Sequence, residues 1–136
     1  HILGGSMPIR LFSLLALTLI AVLAIGACSD QEASEPVSQV SGSDAVQMLE
    51  ERVVIDVRRP AEYDQGHVSG ALNIDVEAAD FDARIAELDK DASYLVYCRS
   101  GRRSAIAAER MAEAGFTDIA DAGGLADLAA AGAPIE

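Results

Sequence analysis

The residues with the clearest capacity for chemistry are consecutive: Cys98-Arg99-Ser100-Gly101-Arg102-Arg103-Ser104. A thiol followed within five positions by three arginines is the densest positive cluster in a chain whose formal net charge is −12. The apolar run before Cys98 delivers the thiol on a strand, Gly101 turns the chain, and a helix is expected to begin at about Arg103 or Ser104. Backbone N–H groups in such a loop converge on one point, and the helix N-terminus adds partial positive charge. Each of these, with the guanidinium groups, favours thiolate over thiol, which makes Cys98 a nucleophile near neutrality. The same groups, carried by Arg99, Ser100, Gly101, Arg102 and Arg103, suit a small anionic substrate. A cysteine buried only for packing is the competing reading. Three arginines so close would then be costly to desolvate.

The elements that must hold this loop can be read around it. Val53–Val57 and Tyr94–Tyr97 are short β-branched or aromatic runs without alternation, as expected of strands covered on both faces. Weaker strands are expected at Val37–Val40, Ala71–Ile74 and Asp118–Ala120. Helical signals lie between them. Ser41-x-x-Asp44 resembles a capping box ahead of Ala45, Met48 and Leu49, and a short helix follows Pro60. Asp80 caps a helix burying Phe81, Ile85 and Leu88, Ser104–Ala114 is Ala-rich with Gly115 after it, and Leu125–Ala130 is a weak last helix. Strands alternating with helices define an α/β fold with a mostly parallel sheet, where ligands bind at the carboxyl ends of the strands. Cys98 stands at that end of its strand.

Composition closes off other chemistries. The acidic balance argues against nucleic acid or an anionic membrane surface as partner. Two Cys and two His, widely separated, make no metal-ligand set, and Gly101, Gly123 and Gly124 make no dinucleotide fingerprint, so no cofactor is expected.

Ahead of the domain, residues 1–6 precede Met7 and are set aside as an expression remnant or mis-assigned start. Arg10 and the apolar run Leu11–Ile25 have the form of a secretory leader, residues 7–27, and the run is short for a membrane span. Ile25-Gly26-Ala27-Cys28 resembles the lipobox of bacterial lipoproteins, which implies lipidation of Cys28 and a membrane anchor on the periplasmic side. Ser29 resembles the outer-membrane sorting context of Gram-negative lipoproteins. Residues 28–36 are polar and read as a flexible tether, and the folded domain is expected over 37–136.

Four separated motifs then come together. Asp56-Val57-Arg58-x-x-x-Glu62-Tyr63, Gly66-His67-Val68-x-Gly70-Ala71-x-Asn73-Ile74, the Cys98 loop and Gly123-Gly124 resemble the successive motifs of the rhodanese superfamily. The resemblance implies a five-stranded parallel sheet with helices on both faces and a six-residue active-site loop, Cys98 to Arg103. It implies sulfur transfer from thiosulfate or a similar donor, through a Cys98 persulfide, to cyanide, a thiol or a protein acceptor. His67 sits in a structural turn in this family, and a thiolate needs no general base. Asp56 and Arg58 either orient the loop or form a buried ion pair. Glu62 is expected to partner Arg58 or to act as a helix N-terminal carboxylate. A Trp commonly follows the paired glycines in the family, and Leu128 stands in its place as a change of wall or core. Two rivals remain: a Cys-based phosphatase or arsenate reductase, which needs Arg where Ser104 stands, and a tethered sulfur carrier or binding module without turnover.

Overall fold

The computed structural model describes residues 35–136. The leader, Cys28 and most of the tether lie outside the described residues.

Ten elements alternate along the chain: β1 Val37–Gln39, α1 Gly42–Met48, β2 Val53–Asp56, α2 Pro60–Gln65, β3 Leu72–Asn73, α3 Phe81–Ile85, β4 Tyr94–Cys98, α4 Arg102–Glu113, β5 Ile119–Gly124 and α5 Leu125–Ala130. The five strands form one sheet in the order β1-β5-β4-β2-β3. Every pairing is parallel, as crossover helices between successive strands require. The fold is α/β, with the mostly parallel sheet anticipated above.

Strand alternation divides the core in two. Ile55, Val57, Tyr94, Val96 and Cys98 face Phe81 and Ile85 of α3 and Ala107, Ala108 and Met111 of α4. Val54, Leu95, Tyr97, Ala120 and Ala122 face Ala45 of α1 and Leu128 of α5. All five residues of β4 are buried, so its apolar run without alternation is the signature of a strand covered on both sides. Leu128 is fully buried in the second cluster, which makes it a core residue. Among the described residues no helix is long and apolar enough to cross a membrane.

Ser41 caps α1, its hydroxyl accepting the Asp44 N–H at 3.1 Å, and Pro60 opens α2. Four expectations need correction. Asp80 makes no side-chain cap, because its backbone (φ −95°, ψ 10°) lacks the extended geometry that aims a side chain at the first-turn amides. The α3 helix ends at Ile85, so Leu88 packs from a following turn rather than from the helix. The helix after the cysteine starts at Arg102, one residue earlier than expected. Finally, β5 runs on through Asp121-Ala122-Gly123-Gly124, residues of low strand propensity that the centre of the sheet nonetheless recruits.

Candidate active site

The end of β4 meets β5 through an irregularity. Val96 pairs with Asp121 and Cys98 with Gly124, so β5 spends one more residue than β4 over the same stretch. Gly123 occupies this bulge at φ 78°, a left-handed conformation that glycine adopts without penalty. The bulge brings the β5 backbone against the loop leaving Cys98. A Cβ built on Gly124 would lie 2.6 Å from the Arg99 carbonyl oxygen and 3.3 Å from the Ser100 Cα. Gly124→Ala is therefore expected to push the loop aside, lowering stability by about 1–3 kcal/mol through overpacking. A displacement of that size is expected to lower kcat/KM for sulfur transfer by about 10²-fold. Wild-type kinetics in this variant would mean that the contact does not set the loop.

Within the loop, Gly101 adopts φ 104° and forms the N-cap of α4. Its N–H donates to the Cys98 Sγ at 2.9 Å. The sulfur thus rests at the N-terminal end of a 12-residue helix, where partial positive charge accumulates. Among the described residues, the amides of Arg99, Ser100, Arg102 and Arg103 donate to no backbone acceptor. Cys98 itself is wholly buried. A polar depression of about 350 Å³ adjoins the loop, bordered by Arg99, Ser100, Arg102 and Arg103 together with Arg59, Glu62 and Glu77.

The three loop arginines are not equivalent. Arg103 is gripped by Glu62, its Nη1 and Nη2 donating at 2.7 and 2.9 Å to the two carboxylate oxygens. These bonds are the leading cause that pulls the Glu62 carboxyl down to about 2, and they raise Arg103 in turn. Glu62 also accepts the Arg59 N–H at 3.3 Å in the first turn of α2, so its role as a helix N-terminal carboxylate is seen. Arg58 is not its partner, because Asp56 already holds that guanidinium. Arg99 and Arg102, by contrast, form no ion pair among the described residues. A depressed carboxyl contributes stability above its unfolded value and loses it as pH falls through the folded one. Wild type is thus expected to exceed Glu62→Gln in urea resistance at pH 7. The difference should shrink from about pH 4.5, be small at about pH 2 and vanish below it. A gap as wide at pH 2 as at pH 7 would show that the pair is not its source.

On the other face of the sheet, Asp56 accepts from Arg58 Nη2 at 2.6 Å and from the Tyr97 hydroxyl at 2.7 Å. Burial works against the Arg58 charge, and the hydrogen bonds and attraction of Asp56 more than restore it. Burial also pushes the Tyr97 hydroxyl up, helped by Asp56. Arg58 further donates to the Gly66 carbonyl at 2.7 Å. This is the buried ion pair, and none of its hydrogen bonds reaches the Cys98 loop. His67 stacks on Tyr63 with ring centroids 3.6 Å apart, and its Nδ1 lies 2.9 Å from the Tyr63 carbonyl oxygen.

From the sequence Asp121 receives no role, and Ser104 only those of a helix start and of the residue standing where a phosphatase needs Arg. The buried Asp121 carboxylate accepts from the Ser104 hydroxyl at 2.7 Å and from the Gly123 N–H at 3.0 Å, joining the first turn of α4 to the β5 bulge. The available signal is one acidic residue inside the otherwise apolar stretch Ile119-Ala120-Asp121-Ala122. Among the described residues no three His, Cys, Asp or Glu side chains converge as a metal-ligand group.

A parallel five-stranded α/β domain that presents a cysteine loop at the carboxyl edge of its central strand defines the class of protein. The model of the Rhodanese-like domain matches residues 41–130, and the chain belongs to that family. The chain is 44% identical over 75 residues to the thiosulfate sulfurtransferase PspE of Escherichia coli, covering 55% of this chain and 72% of PspE. Among solved structures, a rhodanese-like domain from Anabaena superposes with a TM-score of 0.65 at 29% identity, covering 76% of this chain and 80% of that one. A rhodanese with anions from Escherichia coli gives a TM-score of 0.54 at 39% identity, covering 62% and 96%. Sulfur transfer is the chemistry that these relatives support at the level of the family.

Proposed function

We propose that the protein transfers sulfane sulfur by double displacement through a Cys98 persulfide, with thiosulfate or a similar small anion as donor. The observation carrying this reading is the seat of Sγ, 2.9 Å from the Gly101 N–H at the start of α4. Oriented amides and a helix N-terminus stabilise a sulfur anion, whether a thiolate at Sγ or the outer sulfur of a persulfide held in the same loop. The thiolate attacks the outer sulfur of the donor, a new S–S bond forms, and sulfite leaves with the electron pair of the broken bond. Arg99 and Arg102, the loop cations without an ion-pair partner, receive the donor's oxyanions, and Arg103 lends its charge from within the Glu62 pair. PspE is named a thiosulfate sulfurtransferase, and the related Escherichia coli rhodanese was solved with anions, which supports an anion as the first substrate.

A phosphatase reading is less well supported. The sixth position after Cys98 is Ser104, a neutral hydroxyl that lies against Asp121 at 2.7 Å and the Gly101 carbonyl at 3.2 Å and offers no charge to a phosphate. Mixed with thiosulfate, the purified protein is expected to gain the mass of one sulfur atom and to lose it on addition of cyanide, with thiocyanate as product. No mass gain from thiosulfate or any other sulfane donor would sink the reading.

The same proposal places the domain on a membrane through lipid at Cys28, exported to the periplasmic side. Radiolabelled palmitate is expected to enter the full chain in a bacterial host and to be absent from Cys28→Ala. Equal labelling of the two would rule out the anchor.

A further inference from the structure

We infer that Asp121 is a positioning residue for the cysteine loop: through Ser104 and the β5 bulge it fixes Gly101, the residue whose N–H holds Sγ. The inference rests on the sulfur-transfer reading above. Gly101 opens α4 without a side-chain cap, so no side chain of its own secures the first turn of that helix. Its carbonyl accepts the Ala105 N–H at a long 3.3 Å, with the Ser104 hydroxyl 3.2 Å away. A hydroxyl has a single proton to donate, and the shorter contact of Ser104, 2.7 Å to Asp121 Oδ1, is the charge-assisted one. The start of α4 is thus tied sideways to β5 rather than capped from within.

The same carboxylate oxygen accepts the Gly123 N–H at 3.0 Å, which braces the bulge in its left-handed conformation. Gly101 rests against that bulge, since a Cβ built on it would meet the Gly123 Cα at 3.6 Å. One oxygen therefore joins the helix turn that begins at Gly101 to the backbone packed beside it. Ser104 is wholly buried and Asp121 is 5% exposed, so water has little room to replace either bond. No hydrogen bond from Asp121 or Ser104 reaches Sγ, so both act through Gly101.

The charge of Asp121 works the other way. Asp121 forms no ion pair among the described residues, and a buried carboxylate without a cation is costly. A negative group close to a sulfur anion also disfavours that anion. Charge and hydrogen bonding therefore oppose each other in the reaction, and substitution separates them. Asp121→Asn removes the charge and keeps an oxygen that can accept from Ser104 and Gly123, whereas Asp121→Ala removes both.

The test measures two quantities in the full chain: the rate constant of persulfide formation in a single turnover with thiosulfate, and the backbone NMR shift of the Gly101 amide. Asp121→Ala and Ser104→Ala are each expected to slow persulfide formation by about 10- to 100-fold and to move the Gly101 amide. The half-saturating thiosulfate concentration is expected to stay within about threefold, because Arg99 and Arg102 are untouched. Asp121→Asn is expected to restore both readouts, and the double alanine variant to be no slower than the slower single one, as for two residues acting through one contact. Phe116→Leu serves as control, being a core change beside Tyr94 at the opposite end of β4 from Cys98. It is expected to lower the melting temperature while leaving both readouts within about twofold. Ser104→Ala deletes one hydroxyl and keeps the test open if Asp121→Ala does not fold. An Asn variant as slow as Ala, losses that multiply in the double variant, or an equal loss in Phe116→Leu overturns the positioning role. A wild type that loads with sulfur beside an equally fast Asp121→Ala overturns that role alone, whereas a wild type that no sulfane donor loads overturns the sulfur-transfer reading itself.

Discussion

Cys98→Ser is expected to lower sulfur transfer by at least about 10³-fold, with the fold intact. The substitution exchanges one atom at a fully buried position, and the Ser hydroxyl can still accept the Gly101 N–H that now reaches Sγ. Stability is therefore expected to change by no more than about 1 kcal/mol. A neutral alcohol is a poor nucleophile toward sulfur, and an S–O linkage would not give back the sulfur atom as a persulfide does. Thiocyanate production and intact-protein mass measure the two expectations together, and thermal melting establishes that the variant is folded. A folded Ser variant that retained even a tenth of the activity would remove Cys98 from the chemistry.

Asp56→Ala is expected to cause the largest loss of stability, about 3–5 kcal/mol, because it strands a buried charge. Asp56 is fully buried and accepts from the Arg58 backbone N–H at 2.9 Å, from the Arg58 guanidinium at 2.6 to 3.0 Å, and from the Tyr97 hydroxyl at 2.7 Å. Removing the carboxylate leaves a guanidinium 6% exposed with the Gly66 carbonyl as its one remaining protein acceptor, and it leaves the Tyr97 O–H without an acceptor. Removing both charges in Asp56→Ala/Arg58→Leu relieves the stranded cation and is expected to recover part of the loss. Urea denaturation of the three variants tests this, and a double variant as unstable as the sum of the singles would show that the two groups act independently.

Much of this arrangement was legible because it is local. The cysteine, its arginines and Gly101 are neighbours in the chain, and Val53–Val57 and Tyr94–Tyr97 announce buried strands by their apolar runs. What escaped depends on distance along the chain. Glu62 and Arg103 are 41 positions apart, and nothing in their types decides which of several arginines the carboxylate will take. The continuation of β5 was missed for a related reason. The strand expected over Asp118–Ala120 stops before Asp121 and two glycines of low strand propensity, whose partners, Ser104 and the bulge, only the folded chain supplies. The Asp80 cap failed in the opposite sense, since the residue type was suitable and the backbone was not.

The complete burial of Cys98 carries one more consequence, for chemical durability. Thiolates in contact with bulk water are open to peroxide, which drives them up the oxidation ladder to sulfinic and sulfonic acids that do not return. Peroxide carries no charge for the loop arginines to attract, so the positive rim that would draw the proposed anionic donor gives it no comparable foothold. Burial of this kind is expected to slow oxidation of Cys98 by peroxide relative to a thiol open to solvent.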